Sequence, residues 1–343
     1  MAKEEKLHKE LQYIDIAKVL FAVGIVAIHS GVLAGTNIID WTIMHAVLRL
    51  AVPFFFCASG YFFYRSLKKT EDVRATTKKY LKRLLIPFCF WLLANLPIII
   101  IKYTQEGNTA IDILSKIRTG LIFYPWGAMW YVAALMVAIC LVIPFYKKNK
   151  LKNAVIIGGL LYLVGLLFNT YYFVAEGTSL QRIVDAILQI ASSMRNGLFE
   201  GLFFVSAGMY IGQRDHEKKT ISKKKNLIIL ITSYLLLIAE IFLTRKLLHA
   251  DDHSLFISFI IVIPSLFIFL SQLPPLRRKI DTKILRNYSS GIYFSHRFVL
   301  GIITLLLPTS SPLLYFSLTM LVVVSGLAIF YKIDNEKTNY LIK

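Results

Sequence analysis

The chain has 343 residues, of which 56% are hydrophobic, and 39 Lys or Arg against 20 Asp or Glu give a formal net charge of +19. So large an apolar fraction excludes an ordinary soluble domain. Such a charge in a soluble chain would indicate nucleic-acid binding, but here the basic residues lie between apolar blocks, as in membrane proteins. We therefore expect a membrane protein with no nucleic-acid partner.

The apolar blocks approach bilayer length and predict an all-α, polytopic integral membrane protein with about ten transmembrane helices. One membrane domain is expected over 1–343, with a polar N-terminus at 1–12 that is not a removable signal peptide and a polar tail at 332–343. The segment "NTAIDILSKIRTGLIFYPW" predicts a short interfacial helix. The predicted spans are 14–33, 43–64, 84–101, 127–146, 154–173, 197–212, 226–244, 254–271, 288–307 and 312–331.

The orientation follows from the basic residues outside these spans. Both termini and the loops after even-numbered spans hold 29 Lys and Arg residues, whereas the loops after odd-numbered spans hold 7. Because Lys and Arg accumulate on the cytoplasmic side, both termini are predicted to be cytoplasmic.

The first span carries two ionisable residues, Lys18 and His29, which are costly in lipid and need a partner or a cavity. They lie 11 residues apart, so they share one helix face about 16 Å apart along the axis. Lys18 either snorkels to the interface or is held inward by Asp15 three residues earlier. His29 is either a helix–helix hydrogen bonder or a general base, because the imidazole pKa lies near neutrality.

Further charges fall in the outer halves of other spans. Arg49 precedes Pro53, which permits a kink in the second span. Glu200 and Glu240 can each pair with Arg49, or with Arg195 at the mouth of the sixth span. A structural ion pair and a substrate contact both stay open for these charges.

Three other features complete the set of candidate residues. His296 brings a second imidazole to mid-membrane in the ninth span. Interfacial anchoring alone can explain the cluster of Trp126, Trp130 and Tyr131, and Trp130 is kept as a candidate binding residue. The cysteines lie in apolar segments without metal-ligand spacing and are interpreted as packing thiols: Cys57, Cys89 and Cys140.

Several of these segments resemble the membrane-bound acyltransferase family 3. "YIDIAKVLFAVGIVAIH" is similar to the family's opening helix, in which a basic residue is followed by ten others and a histidine. "RLAVPFFFCASGYFF" resembles its second helix, "YLKRLLIPFCFW" the basic start of its third, and "YSSGIYFSHRFVL" a Ser-x-x-Ile-Tyr-x-x-His element near its end. The matches occur in family order over almost the whole chain.

The resemblance implies an O-acyltransferase of a bacterial-type plasma membrane. It would move an acyl group, usually acetyl, from acetyl-CoA or another acyl-CoA on the cytoplasmic side to a hydroxyl of a surface glycan or lipid-linked acceptor. No metal is expected, membrane lipids surround the chain, and a homo-oligomer stays open.

The same hypothesis assigns roles to residues. His29 is the base, with Lys18 and His296 as the other catalytic residues, and His296 orients a substrate or stabilises the oxyanion. Lys18, Arg83 and Ser59 are expected to bind the acyl donor. The residues expected to bind the acceptor or substrate are Arg49, Trp130, Arg195, Asn196, Glu200 and Glu240.

An alternative is an amino-acid transporter. "SMRNGLFEGLFFVSAGMYIG" and "HSLFISFIIVIPSLFIFL" are most similar to the membrane half of vancomycin-resistance serine racemases, which is thought to supply serine. An arginine and a glutamate on the outer side would then bind the carboxylate and ammonium of the substrate. A third interpretation is a scaffold protein without catalytic activity.

The chain departs from the family pattern at two points. Lys18 stands where the family usually has arginine, and lysine lacks the planar fork that binds phosphate. "WYVAALM" also lacks the glutamate that some members carry after the tryptophan of the fourth span.

Overall fold

The computed structural model describes residues 11–34, 37–191, 193–247, 254–276 and 281–332. Within these ranges the chain is helical and contains no β-strand. In chain order the α-helices are α1 (Gln12–Ser30), α2 (Ile38–Ala46), α3 (Ala51–Leu67), α4 (Val73–Gln105), α5 (Ala110–Ile122), α6 (Trp130–Lys147), α7 (Leu151–Leu166), α8 (Ser179–Ala191), α9 (Leu202–His216), α10 (Lys223–Leu247), α11 (Phe259–Ser271), α12 (Thr282–Leu306) and α13 (Pro312–Lys332).

Seven helical segments of the described chain are long and apolar enough to cross a membrane by length and composition. They are α1, the continuous stretch formed by α2 and α3, α4, α6, α10, α12 and α13, whereas α7 and α11 are shorter apolar helices. The all-α class is confirmed, and the pattern fits a polytopic membrane protein. The count of ten spans and the cytoplasmic location of the termini stay predictions, since 1–10 and 333–343 lie outside the described residues.

Two predicted spans are only partly helical. The helix in the predicted span 154–173 ends at Leu166, and the helix in 254–271 begins only at Phe259. Polar side chains that the apolar pattern does not reveal, Glu240 and Asn169, bind the non-helical backbone that precedes the second of these helices. The structure contains α5 where an interfacial helix was predicted, begun by a capping box between Thr109 and Asp112. The amphipathic α8 was not predicted.

The central packing contact joins α3 and α9, whose backbones touch. A methyl group on Gly60 would lie 2.1 Å from the carbonyl oxygen of Val205, and one on Gly208 would lie 1.9 Å from that of Cys57. On the opposite face of α9, a methyl on Gly158 of α7 would lie 2.8 Å from the Cα of Phe203. Glycine permits this close approach, which is typical of helix packing in membranes.

A second group of helices forms around α12, which packs against α1 and α13. The Arg286 guanidinium of α12 lies 2.9 Å from the Asp15 carboxylate of α1. The Tyr331 hydroxyl of α13 donates to the Asn287 carbonyl at 3.0 Å. These contacts fix α12 against α1, which carries Lys18 and His29.

The glycine contact between α3 and α9 gives a first prediction. Gly208→Ala forces these helices apart, and we expect a loss of about 1–3 kcal/mol in the free energy of unfolding, as for other overpacked cores. Thermal unfolding of purified protein in detergent measures the effect. Gly326→Ala is the matched control, because no atom lies within 4 Å of a methyl group at Gly326 in α13. Equal melting temperatures for both variants would contradict the packing interpretation.

Candidate functional site

A cavity of about 250 Å³ opens where the end of α1 meets the starts of α3 and α6 and the segment before α9. We call it the histidine cavity, after His29. Its wall combines basic, acidic and aromatic side chains. The lining residues are Ile25, Ile28, His29, Leu48, Arg49, Val52, Pro53, Tyr124, Ala128, Trp130, Tyr131, Arg195, Glu200, Ser254, Leu255 and Tyr293.

Two imidazoles meet at this cavity. The rings of His29 and His296 are stacked with centroids 5.3 Å apart. His29 lies in the last turn of α1, just before Gly31 ends the helix in a left-handed conformation with φ of 78°. His29 is half-buried and lines the cavity, whereas His296 lies behind it and has no exposed surface.

The tautomer of neutral His296 is set by its surroundings. Its Nδ1 lies 2.6 Å from the Tyr293 carbonyl oxygen and 3.1 Å from that of Ile292. Because a carbonyl can only accept, Nδ1 carries the proton and Nε2 is left as an acceptor. Nε2 is buried and makes no hydrogen bond within the described part of the chain. Neutral His296 can therefore accept a proton or a hydrogen bond at Nε2 but cannot donate one there.

The cationic side of the cavity is built on aromatic rings. The Arg195 guanidinium donates to the Tyr124 hydroxyl at 2.7 Å and lies 5.1 Å from the centre of the Trp130 ring. Tyr124 and Trp130 stack on each other with centroids 5.6 Å apart. Cation–π contact and the hydrogen bond hold Arg195 in one orientation, and Arg49 adds a second guanidinium to the wall.

The carboxylate of the cavity belongs to Glu200, which is 1% exposed. It lies in a π-helical turn, Gly197–Gly201, which directly precedes α9. Asn196 begins this turn, because its Oδ1 accepts from the Leu198 and Phe199 amides at 3.0 Å each. Such turns often occur at functional sites because they redirect side chains. Two guanidinium groups and one carboxylate thus surround the same cavity.

Part of the wall is irregular backbone, the segment 254–258 that leads into α11. The Glu240 carboxylate of α10 accepts from the Ile257 amide at 2.6 Å and from the amide and hydroxyl of Ser258 at 2.9 and 2.5 Å. The Asn169 Oδ1 accepts from the Ser254 and Leu255 amides at 3.2 and 3.0 Å. These bonds replace the helical ladder that lipid-buried backbone otherwise needs.

A second cavity, of about 320 Å³, lies at the other end of α1. We call it the basic pocket. The buried Asp15 carboxylate holds two of its cations, with Lys18 Nζ at 3.5 Å and Arg286 Nη1 at 2.9 Å. Lys18 also lies 4.2 Å from the centre of the Phe62 ring. The pocket is lined by Lys18, Arg83, Lys283, Arg286, Asn287, Ser289 and Ser290.

The structure groups most of the predicted site residues. The histidine cavity is lined by His29, Arg49, Trp130, Arg195 and Glu200, with His296 in ring contact, and the basic pocket by Lys18 and Arg83.

The other three predicted site residues do not line either cavity. Ser59 lies 3.4 Å from the Tyr131 hydroxyl, Asn196 begins the π turn, and Glu240 holds the segment 254–258. Backbone amides and hydroxyl groups bind both carboxylate oxygens of Glu240. Its carboxylate therefore does not form the predicted pair with Arg49 or Arg195.

The contribution of α12 to the basic pocket was not predicted from the sequence. Lys283, Arg286 and Ser290 recur at helical spacing on one face of α12, a pattern that could have been found. Nothing in the sequence pairs Arg286 with Asp15, 271 residues earlier.

Comparison with known proteins gives one family and a few relatives. The family model described as "Acyltransferase domain", acyltransferase 3, matches residues 11–332. Two proteins named "Amino-acid racemase" from Enterococcus faecalis are 26% identical over 287 residues and 27% identical over 300 residues. These alignments cover 82% and 84% of this chain but 38% and 41% of the relatives.

A third relative, named "Serine/alanine racemase" from Enterococcus gallinarum, is 26% identical over 219 residues, which is 61% of this chain and 30% of that protein. The chain therefore spans well under half the length of these curated relatives. No solved structure matches the chain.

The carboxylate that holds segment 254–258 gives a second prediction. Glu240→Gln replaces one acceptor oxygen with an amide that faces donors, and we expect a loss of about 1–3 kcal/mol in the free energy of unfolding. Glu176→Gln, at an exposed glutamate, is the matched control. Thermal unfolding in detergent measures both. Unchanged stability of Glu240→Gln would show that these hydrogen bonds do not hold the wall.

Proposed function

This chain belongs to the acyltransferase 3 family, and on that premise we propose that it is an integral membrane O-acyltransferase that uses acyl-CoA as donor. The family match and the apolar helices support a multi-pass membrane acyltransferase in general. The donor, the acceptor and the bacterial plasma membrane are our proposals. These proposals rest on the contact between His29 and His296 beside a charged cavity.

The proposed donor site is the basic pocket. Four cationic side chains, Lys18, Arg83, Lys283 and Arg286, line it together with two serine hydroxyls. Phosphate groups of acyl-CoA match this charge, and guanidinium groups bind phosphate through paired hydrogen bonds. Lys18 stands where the family usually has arginine. Arg286 brings a guanidinium group beside Lys18 and so supplies the planar fork that lysine lacks.

The proposed acceptor site is the histidine cavity. His29 takes the proton of the acceptor hydroxyl as the oxygen attacks the thioester carbonyl carbon. The C–S bond then breaks, the acyl group stays on the acceptor oxygen, and CoA leaves as a thiolate that recovers the proton. His296, whose Nε2 accepts in the neutral form, lies behind His29 and orients the acceptor through the stacked ring of His29, and it could stabilise an oxyanion only as an imidazolium.

The proposed acceptor is a hydroxyl of a surface glycan or lipid-linked envelope precursor. With the positive-inside orientation predicted from the sequence, the histidine cavity would face outward and the basic pocket would face the cytoplasm. Lys18 and His29 are about 16 Å apart along α1, so the phosphates and the thioester of one extended donor would lie at different depths.

The histidines give a third prediction. In liposomes with acetyl-CoA supplied at the basic-pocket face, His29→Ala is expected to lower acyl transfer by at least about 100-fold, the usual size of a general-base contribution. His296→Ala is expected to lower it less, because His296 orients but does not take the proton. The exposed His216→Ala is the matched control. Transfer that persists in His29→Ala would contradict the assignment of His29.

Lys18 gives a fourth prediction, which separates donor binding from chemistry. Lys18→Gln removes one phosphate-binding charge, and we expect KM for acetyl-CoA to rise about tenfold while kcat changes little. Lys18→Arg is expected to keep a low KM, and Lys69→Gln, at an exposed lysine of the same face, is the control. An unchanged KM in Lys18→Gln would remove Lys18 from the donor site.

A second candidate is amino-acid transport, favoured by the two guanidinium groups and one carboxylate of the histidine cavity. This set is complementary to a zwitterion, and the racemase names of the relatives point to amino acids. Labelled serine offered to the same liposomes distinguishes the two functions. Saturable uptake that survives His29→Ala but fails in Glu200→Gln would establish transport instead of acyl transfer.

A further inference from the structure

A cleft of about 1110 Å³ between α3, α7, α9, α11 and the start of α10 is used by neither proposed site. We call it the amphipathic cleft. Pockets for drug-sized ligands are about 300–1,000 Å³, so it has room for a larger molecule. Its lining includes Arg65 and Arg214 at the mouth, Phe203 and Ala207 of α9, and Ile260 and Pro264 of α11.

The mouth of the cleft is strongly cationic. Five cations line it, and the one acidic residue among its lining is already engaged, because the Tyr61 hydroxyl donates to the Asp215 carboxylate at 2.7 Å. Within the described part of the chain, Arg65 and Arg214 form no ion pair, whereas Lys219 lies 3.1 Å from Glu217. The mouth therefore attracts anions. The cationic residues are Arg65, Arg214, Lys219, Lys223 and Lys225.

The wall behind the mouth is apolar. Phe203 and Ala207 of α9 are buried, and Ile260 and Pro264 of α11 line the same cleft. From Phe203 to Arg214 the helix rises about 16 Å. This depth equals about one leaflet of the roughly 30 Å hydrocarbon core of a bilayer. The charged end and the apolar end are thus separated as in a membrane lipid.

An unsatisfied acceptor also lies at the mouth. The Gln272 Nε2 donates to the Ile221 carbonyl at 2.7 Å, but its Oε1 is buried and has no hydrogen-bond partner among the described residues. A head group with a hydroxyl beside its phosphate would supply a donor. An anionic head group with a free hydroxyl matches both the charge and this acceptor.

We propose that the amphipathic cleft binds one hydroxylated anionic phospholipid, with its phosphate among the arginines and lysines and an acyl chain against α9 and α11. Basic pockets between membrane helices are a recurring form of lipid head-group site. The cleft shares no lining residue with the basic pocket or the histidine cavity, so the proposal is independent of the acyltransferase function.

Native mass spectrometry of the full chain in detergent tests this proposal with phosphatidylglycerol and phosphatidylcholine. We expect phosphatidylglycerol to be retained in a one-to-one complex, and phosphatidylcholine to bind at least tenfold more weakly. Arg65→Gln/Arg214→Gln removes two charges near the membrane surface and is expected to weaken phosphatidylglycerol binding about 30-fold. Lys68→Gln/Lys69→Gln removes two exposed cations of the same face outside the cleft and is the matched control.

A second variant keeps the proposal testable if Arg65→Gln/Arg214→Gln fails to fold. Lys223→Glu/Lys225→Glu changes only exposed side chains at the mouth and is also expected to abolish the selectivity for phosphatidylglycerol. Equal binding of the two lipids, or an equal loss in the Lys68/Lys69 control, would overturn the proposal in favour of non-specific surface contact. A different outcome is that palmitoyl-CoA displaces phosphatidylglycerol and that Arg65→Gln/Arg214→Gln prevents this displacement. That outcome would overturn the proposal, because it would assign the cleft to the acyl donor.

Discussion

The architecture of the site depends on one constraint: backbone groups away from water must find hydrogen-bond partners inside the protein. Among the described residues, helices satisfy this nearly throughout, and one of the non-helical places borders the histidine cavity. There, the Glu240 carboxylate and the Asn169 amide oxygen bind the backbone amides of 254–258. This support allows Ser254 and Leu255 to line the cavity as irregular backbone instead of closing it with a helix.

Two glutamates that look alike in the sequence show why side-chain roles escape pattern analysis. Both lie in apolar segments in predicted outer halves, yet Glu200 lines the cavity and Glu240 serves the backbone. The difference arises because Glu200 lies in a π turn begun by Asn196, whereas Glu240 meets a segment 17 residues further along the chain. Apolar periodicity predicts the helix that carries a residue, but the partner across the helix interface is set by tertiary packing.

Other parts of the site could be predicted because they depend on one helix. The 11-residue spacing of Lys18 and His29 fixes their separation along α1 whatever surrounds them, and the structure places them in two different cavities. The all-α class likewise follows from apolar blocks near bilayer length. The non-helical ends of two predicted spans could not be found in this way, because Ser254 and Leu255 are as apolar or small as the helical residues that follow them.

The helices α1 and α12 link the two cavities. Arg286 meets Asp15 at one end, and ten residues later His296 stacks on His29. The ten residues from Arg286 to His296 rise about 15 Å and the fourteen from Asp15 to His29 about 21 Å, so the two helices run in the same direction and touch at both depths. A shift of α12 along α1 would disturb the cations and the imidazoles together. Under the proposed donor role of the basic pocket, Arg286, the α12 residue that also contacts Asp15, would supply the guanidinium group that lysine at position 18 lacks.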